Sequence, residues 1–188
     1  MLKLHVIIAS TRPGRAGLPI GRWFFELAQR HSKLDTRLVD LAEVNLPFLD
    51  EPKHPRFGQY EHAHTKAWSA TVSAADAFVF VTPEYNYGAP APLINAIDFL
   101  HKEWLYKPVG FVSYGGVAGG TRSAQMLKLK VGGVKMVPLT EAVIIPFFSQ
   151  FLADGVFKAT DAHETAARAM LDELGRWAAA LLPMRQPG

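Results

Sequence analysis

This sequence predicts an open α/β fold, a parallel sheet covered by helices on both faces. Three observations lead there. Short β-branched or aromatic runs alternate with amphipathic stripes from one end of the chain to the other. The strongest runs are apolar at successive positions and are closed by Gly, Pro or Ser, as in strands buried on both sides. No internal repeat, low-complexity stretch or linker divides the chain, so residues 1–188 are expected to form one domain.

The first strand is Leu4-His5-Val6-Ile7-Ile8-Ala9, which stops at Ser10-Thr11-Arg12-Pro13-Gly14. Ile20, Trp23, Phe24, Leu27 and Ala28 then make one stripe of a helix, with Arg22, Glu26, Gln29 and Arg30 opposite and Pro19 suited to its first turn. Residues 35–41 read as a second, half-exposed strand, and residues 42–58, rich in Pro and charge, as a surface loop. A helix over about 59–75 follows, with Ala63, Ala67, Thr71 and Ala74 as a slim face. Ala77-Phe78-Val79-Phe80-Val81-Thr82, ended by Pro83, is the central strand. A helix beginning near Pro90–Pro92 carries Leu93, Ile94, Ala96, Ile97, Phe99 and Leu100, apolar around more than half its girth. The fourth strand is Val109-Gly110-Phe111-Val112-Ser113. A helix over about 121–131 comes next, then a strand near 134–139 whose Pro138 marks an edge or an end. Asp161 and Glu164 read as a capping pair for the last helix, whose stripe is Ala167, Met170, Leu171, Leu174, Ala178 and Leu181.

Composition narrows the function. Apolar residues make up 49% and charged residues 20%, which excludes a disordered or fibrous chain. No apolar run has bilayer length, and Met1-Leu2-Lys3-Leu4-His5 lacks the organisation of a signal peptide, so a cytoplasmic protein without a membrane partner is expected. The absence of Cys excludes disulfides and thiolate chemistry. The formal charge is +3 and the pI about 9.2, but Lys and Arg are scattered, which argues for a mixed solvated surface and against nucleic acid. The seven His form no metal motif; His62 and His64, two apart on a presumed helix, point to different faces. Trp23 and Trp177 fall on core stripes, and Asp98 and Glu103 form no acid–base pair.

In sheets of this kind the ligand lies beyond the carboxyl ends of the strands, at the switch in strand order, so the loops after strands one, three and four matter most. The first, Ser10-Thr11-Arg12-Pro13-Gly14-Arg15-Ala16-Gly17, offers hydroxyls, freed amides, two guanidinium groups and a helix start. That set suits a phosphate monoester, the alternative being a tight polar turn with an N-cap. It is neither a Walker A loop, lacking Gly-Lys-Ser/Thr, nor a Gly-x-Gly-x-x-Gly fingerprint. The second, Thr82-Pro83-Glu84-Tyr85-Asn86-Tyr87-Gly88-Ala89-Pro90, sets two aromatics in a stiff turn that could present amides and flat faces to a planar ring, or serve structure alone. The third, Ser113-Tyr114-Gly115-Gly116-Val117-Ala118-Gly119-Gly120, permits close backbone approach or simply a sharp turn. Ser113 is not on a nucleophile elbow, because Phe111 stands two residues before it.

These loops, in this order, resemble the NADPH-dependent FMN reductase family, which includes bacterial quinone and chromate reductases. The carriers are Ala9 to Arg15, Pro83 to Gly88 with Leu93-x-Asn95-Ala96-Ile97-Asp98 behind them, and Ser113-x-Gly115-Gly116 with Gly119-Gly120; the resemblance covers about residues 3–175. It implies a flavodoxin-like three-layer sandwich with a five-stranded parallel sheet in order 2-1-3-4-5. It implies FMN and NADPH as cofactors, with no catalytic side chain because FMN carries the chemistry. Ser10, Thr11, Arg12, Arg15 and Gly17 would surround the FMN phosphate. Pro83, Glu84, Tyr85, Asn86 and Tyr87 would lie along the isoalloxazine with amides near N5 and O4, and Ser113, Tyr114, Gly115 and Gly116 would close the pyrimidine side. Departures fall at Ala9, where the family often has Gly, and at Ala16-Gly17-Leu18, where many relatives place Ser followed by Asn. The implied activity is transfer of a hydride from NADPH through FMN to a quinone, flavin or similar small acceptor. A homodimer or homotetramer is implied too, and the broad apolar helix at 91–101 points independently to a subunit interface unless it is buried within the fold. A flavodoxin-type electron carrier is the competing reading, but such carriers are strongly acidic and this chain is slightly basic; a flavin-binding sensor without turnover is a third.

Overall fold

Strands in which nearly every residue is apolar are stable where helices cover both faces of the sheet, and that is where they lie. In the computed structural model, which describes residues 1–185, Ala77–Pro83 (β3) and Pro108–Tyr114 (β4) are buried at every position. Lys3–Ile8 (β1) is exposed only at Lys3. Asp35–Asp40 (β2) and Val137–Ile145 (β5) form the two edges and are partly exposed. The sheet is wholly parallel and runs β2-β1-β3-β4-β5, the expected order. Side-chain alternation divides the core into two layers. Phe78, Phe80 and Phe111 face Trp68, Trp104 and Leu127 on one side, while Val79, Val81 and Val112 face Phe24, Met170 and Leu174 on the other. The helices Gly17–His31 (α1) and Asp161–Leu181 (α6) belong to the second layer. Ala63–Ser73 (α3), Ala91–Asp98 (α4) and Thr121–Gly133 (α5) cover the first.

Several sequence expectations are corrected. The segment 42–58 is not all loop: Leu41–Val44 (α2) is a single helical turn, started by the Asp40 carboxylate accepting from the Ala42 amide at 3.0 Å. The helix expected from 59 begins at Ala63, because Glu51 binds the Glu61 and His62 amides at 2.8 and 3.0 Å and fixes the chain before it. Its buried face is Thr65, Trp68 and Val72, and Ala63, Ala67 and Ala74 are exposed. One Trp outweighs a stripe of alanines in buried area, and its Nε1–H finds the Ala96 carbonyl at 2.8 Å. His62 lies outside the helix, so its ring stacks on that of His64, with centroids 5.2 Å apart, instead of diverging from it. The last sheet strand spans Val137–Ile145, displaced from 134–139; Lys135 takes a left-handed turn (φ 56°), and the register slips between Val109 and Phe111. Thr160 and His163, one residue before the expected pair, form the capping box of α6. Trp23 packs beside the core with Phe157, but Trp177 is 40% exposed. On α4 and the turn after it, Leu93, Ala96, Ile97, Phe99 and Leu100 are buried within this subunit, so the breadth of that apolar face reflects the core. Asp98 pairs with Lys130, and Glu103 accepts from Tyr60 and Ser69.

Register places the carboxyl ends of the strands at one rim. Ile8 pairs with Asp40 and Val81, Thr82 with Ser113, Pro83 with Tyr114, and Tyr114 with Ile145. The three singled-out loops leave from this rim.

Candidate functional site

The chain leaves β1 with the Ala9 amide still bonded to the Val81 carbonyl at 3.0 Å, and then turns under itself. Ser10 is fully buried, and its Oγ accepts from the Tyr114 hydroxyl at 3.1 Å. Burial pushes the Tyr114 hydroxyl up well above the usual tyrosine range, so it remains a donor. Above this pair α1 starts at Gly17. A Cβ there would lie 2.3 Å from Ser10 Oγ and 2.6 Å from the Tyr114 hydroxyl oxygen. Only Gly lets the first turn of α1 approach the sheet so closely.

The start of α1 is open to an anion. Ala16, at the N-cap, provides no side-chain cap, no acidic residue lies in the first turn, and Pro19 has no N–H, so the Gly17 and Leu18 amides and the positive end of the helix dipole are left without a partner among the described residues. Arg15 forms an ion pair with Asp40, the residue that also caps α2, and its Nε is buried with no partner among the described residues. Arg12 is exposed and makes no ion pair among the described residues; Thr11 is half-buried.

The loop after β3 is a hairpin turn. Tyr85 and Gly88 exchange both backbone hydrogen bonds at 3.0 Å, which puts Asn86 (φ 48°) and Tyr87 (φ 68°) in the left-handed region at its two central positions. The expected row of amides from Pro83 to Tyr87 is thereby thinned. Pro83 has no N–H, the Glu84 amide binds the Tyr114 carbonyl at 3.1 Å, and the Tyr85 amide binds Gly88. The Asn86 and Tyr87 amides have no acceptor among the described residues. Tyr85 is 39% and Tyr87 73% exposed. The Glu84 side chain turns toward α5: its carboxylate accepts the Arg122 amide at 3.1 Å and the Arg122 guanidinium at 2.6 Å, a bond that raises the Arg122 pKa. The guanidinium carbon sits 4.0 Å from the centroid of the Tyr87 ring.

In the loop after β4 the glycines divide by role. Gly119 (φ 59°) and Gly120 (φ 82°) make the left-handed turn into α5, and a Cβ on Gly120 would lie 2.6 Å from the Tyr114 nitrogen. The Ser113 hydroxyl closes this turn by donating to the Gly119 carbonyl at 2.9 Å. Gly115 is buried, with its amide on the Ile145 carbonyl. Gly116 is exposed with open space around its would-be Cβ, so a ligand can lie against its backbone.

A cleft of about 140 Å³ runs between these loops. Arg12 and Ala16 form one end, Pro83, Glu84 and Tyr85 one wall, and Tyr114, Gly115 and Gly116 the other. Phe148, from the loop after β5, completes it, edge-on to Tyr114 at 5.4 Å. A larger hollow of about 460 Å³ opens past Thr11, between α2 and α4. Asn95 builds its wall by holding the 47–49 segment, donating to the Pro47 carbonyl at 2.7 Å and accepting from the Leu49 amide at 3.0 Å.

All fourteen residues named from the sequence therefore lie at one rim, on the three loops or at the ends of the strands and helix that flank them, but not in one role. Thr11, Arg12, Asn86, Tyr87 and Gly116 are on or near the surface of the site. Ser10, Gly17 and Ser113 are buried beneath it, Tyr114 and Gly115 are buried but close one wall of the cleft, Pro83 and Tyr85 line the other, Arg15 pairs with Asp40, and Glu84 ties two loops together. Arg122 and Phe148 escaped the sequence reading. Arg122 follows the Gly119-Gly120 turn, which is its one local signal, and Phe148 has none. The donor set fits a planar ligand ending in a phosphate monoester: an uncapped helix start, an orphaned buried guanidinium nitrogen, two free turn amides and an open glycine. Among the described residues no group of three or more metal-ligating side chains occurs.

Comparison with known proteins points to one family. The chain is 43% identical over 148 residues to an NAD(P)H-dependent FMN reductase of Schizosaccharomyces pombe, covering 77% of this chain and 74% of that one. It is 30% identical over 132 residues to a quinone reductase of Escherichia coli, covering 68% of each. In structure it resembles FerB, a flavoenzyme NAD(P)H:acceptor oxidoreductase from Paracoccus denitrificans, with a TM-score of 0.74, 20% identity and coverage of 96% and 98%. A family model described as NADPH-dependent FMN reductase matches residues 2–150, and with the flavodoxin-like sheet and its three loops already in place, the chain belongs to that family.

Proposed function

We propose that this protein is an FMN-dependent NAD(P)H oxidoreductase that takes a hydride from NADPH and passes it to a quinone, a flavin or a similar small acceptor. FMN, when bound, supplies the hydride chemistry, and the protein supplies binding, orientation and electrostatics. The observation that supports the reading is the uncapped start of α1 beside Arg15, whose buried Nε has no partner among the described residues.

The residues then divide the work. The Gly17 and Leu18 amides at the head of α1, with Thr11, Arg12 and Arg15, would hold the phosphate; Ser10 and Gly17 set the height of that helix start above the sheet. With FMN bound, the Asn86 and Tyr87 amides would be the donors available to the polar edge of the ring and would favour its reduced, more negative form. Gly116 lets the pyrimidine end lie against backbone, while Ser113, Tyr114 and Gly115 hold that loop in shape. Pro83, Glu84 and Tyr85 form the facing wall. The electron acceptor is a small molecule, and the enzyme is a cytoplasmic homodimer or homotetramer in which residues 1–188 form one FMN-binding domain. Among the described residues no helix is long and apolar enough to cross a membrane.

The purified protein is expected to be yellow, to release one phosphorus-containing flavin per chain, and to bleach under anaerobic NADPH with recovery on adding a quinone. Colourless protein that gives no heat on titration with FMN would remove the proposal. Static light scattering tests the assembly, a monomer being the refuting result.

A further inference from the structure

The turn that offers the Asn86 and Tyr87 amides is held in a conformation that L residues resist. Asn tolerates the left-handed region well; Tyr, at φ 68°, does so poorly. Its own two backbone bonds do not anchor it to the rest of the molecule, because both lie within the Tyr85–Gly88 pair. Something outside the turn has to hold it.

That support comes from one face of α5. The Arg122 amide and guanidinium both grip the Glu84 carboxylate, just before the turn, and the guanidinium lies 4.0 Å from the centre of the Tyr87 ring. One helical turn further on, Met126 Sδ accepts from the Ala89 amide at 3.4 Å and would lie 3.3 Å from a Cβ on Gly88. Arg122 and Met126 stand at i and i+4, so they share a face and bracket the turn from both ends. Glu84 is only 10% exposed and Arg122 40%, so the ion pair is partly shielded from water.

We propose that Arg122 is a positioning residue for the reducible edge of the flavin: by gripping Glu84 and lying on Tyr87, it locks the turn whose amides face N5 and O4, and so raises the flavin's reduction potential. This rests on the reading of the site as an FMN site. Arg122 touches neither reacting atom and acts through the turn. Its planar fork serves both contacts at once, which the ammonium of Lys cannot do.

The test compares wild-type protein with Arg122→Ala, Arg122→Lys, Tyr87→Leu and the Arg122→Ala/Tyr87→Leu double variant, each loaded with FMN. Arg176→Ala, on the exposed face of α6, is the control. Three quantities are read: the FMN dissociation constant by fluorescence quenching, the midpoint potential by dye equilibration, and the rate of anaerobic reduction at saturating NADPH. Arg122→Ala is expected to weaken FMN binding about three- to tenfold, to shift the potential to more negative values and to slow reduction with little change in the half-saturating NADPH concentration. Arg122→Lys should fall between it and wild type. The double variant should be no worse than the poorer single one, because both act through one contact. An unchanged potential in Arg122→Ala overturns the proposal, as do additive losses. Should Arg122→Ala fail to fold, Arg122→Lys decides in the same way, an unshifted potential overturning the brace. Wild-type protein that binds FMN beside variants that titrate identically refutes the brace alone; wild-type protein that binds none refutes the site reading with it.

Discussion

Replacing Gly17 by Ala sets two physical effects against each other, and the structure decides between them. Ala is the better helix former by up to about 1 kcal/mol, so propensity alone predicts a more stable protein. The new Cβ, however, would sit 2.3 Å from Ser10 Oγ and 2.6 Å from the Tyr114 hydroxyl, far inside contact distance. Both groups are buried and bonded to each other, so neither can swing into solvent. Overpacking of this kind costs roughly 1–3 kcal/mol, and losing the Ser10–Tyr114 bond adds about 1 kcal/mol. The net expectation for Gly17→Ala is a loss of roughly 1–3 kcal/mol, read as a lower urea midpoint at unchanged slope. The third neighbour, Ile8 Cγ2, is at an ordinary 3.4 Å, so the clash resides in the two oxygens. In a Ser10→Ala/Tyr114→Phe background both oxygens are gone, and the same Gly17→Ala change should become neutral or stabilising. If Gly17→Ala destabilises that background as much as it does wild type, oxygen crowding is not what reserves the position for Gly.

Two further outcomes follow from the same geometry. Arg15→Lys keeps a charge for Asp40 but removes the orphaned Nε donor, so FMN affinity should fall about tenfold, the loss of one charge-assisted bond of roughly 1.5 kcal/mol; riboflavin, which has no phosphate, should bind as before, and equal losses for both ligands would refute the assignment. At the other end of β1, His5 is 3% exposed, its Nδ1 has no partner among the described residues, and burial, followed by the nearby Arg37, lowers its pKa to about 4. The unfolded chain therefore binds more protons than the native one between pH 6.5 and about 4, so stability falls as pH drops through that window, by at most about 1.4 kcal/mol per pH unit from this group. Urea midpoints of wild type and His5→Met should diverge there, the variant showing the shallower slope; parallel curves would show that His5 does not titrate on unfolding.

What the sequence made legible follows the physics of burial. The inner strands β1, β3 and β4 lie between two helical layers, so nearly every residue is apolar and the runs stand out. The edge strand β5 alternates buried and exposed positions and slips in register, so its pattern is interrupted and its bounds were displaced. The single turn α2 is too short for a 3.6-residue period to show and exists because Asp40 caps it. The face of α3 was misassigned because periodicity counts residues, whereas the core counts area, and Trp68 alone outweighs the alanines.

The candidate site was legible as loops but not as roles, for a reason the pairings make plain. Loop chemistry is local: Gly, Pro and hydroxyl residues after a buried strand announce a turn that can meet a ligand. Roles depend on partners far off in the chain. Ser10 is fixed by Tyr114, 104 residues on; Arg15 by Asp40, 25 on; Glu84 by Arg122, 38 on. No window of sequence contains either end of such a pair together with the other. Polar residues that looked like ligands to FMN can therefore divide, once folded, into an outer set that faces the cleft and an inner set that fixes the outer one in place. Ser10 and Thr11 are adjacent in sequence and fall on opposite sides of that division, one fully buried beneath α1 and the other on the rim. Substituting the inner set should reduce stability and FMN affinity together, whereas substituting the outer set should change affinity alone, so the two measurements taken on the same variants separate what the residue types could not.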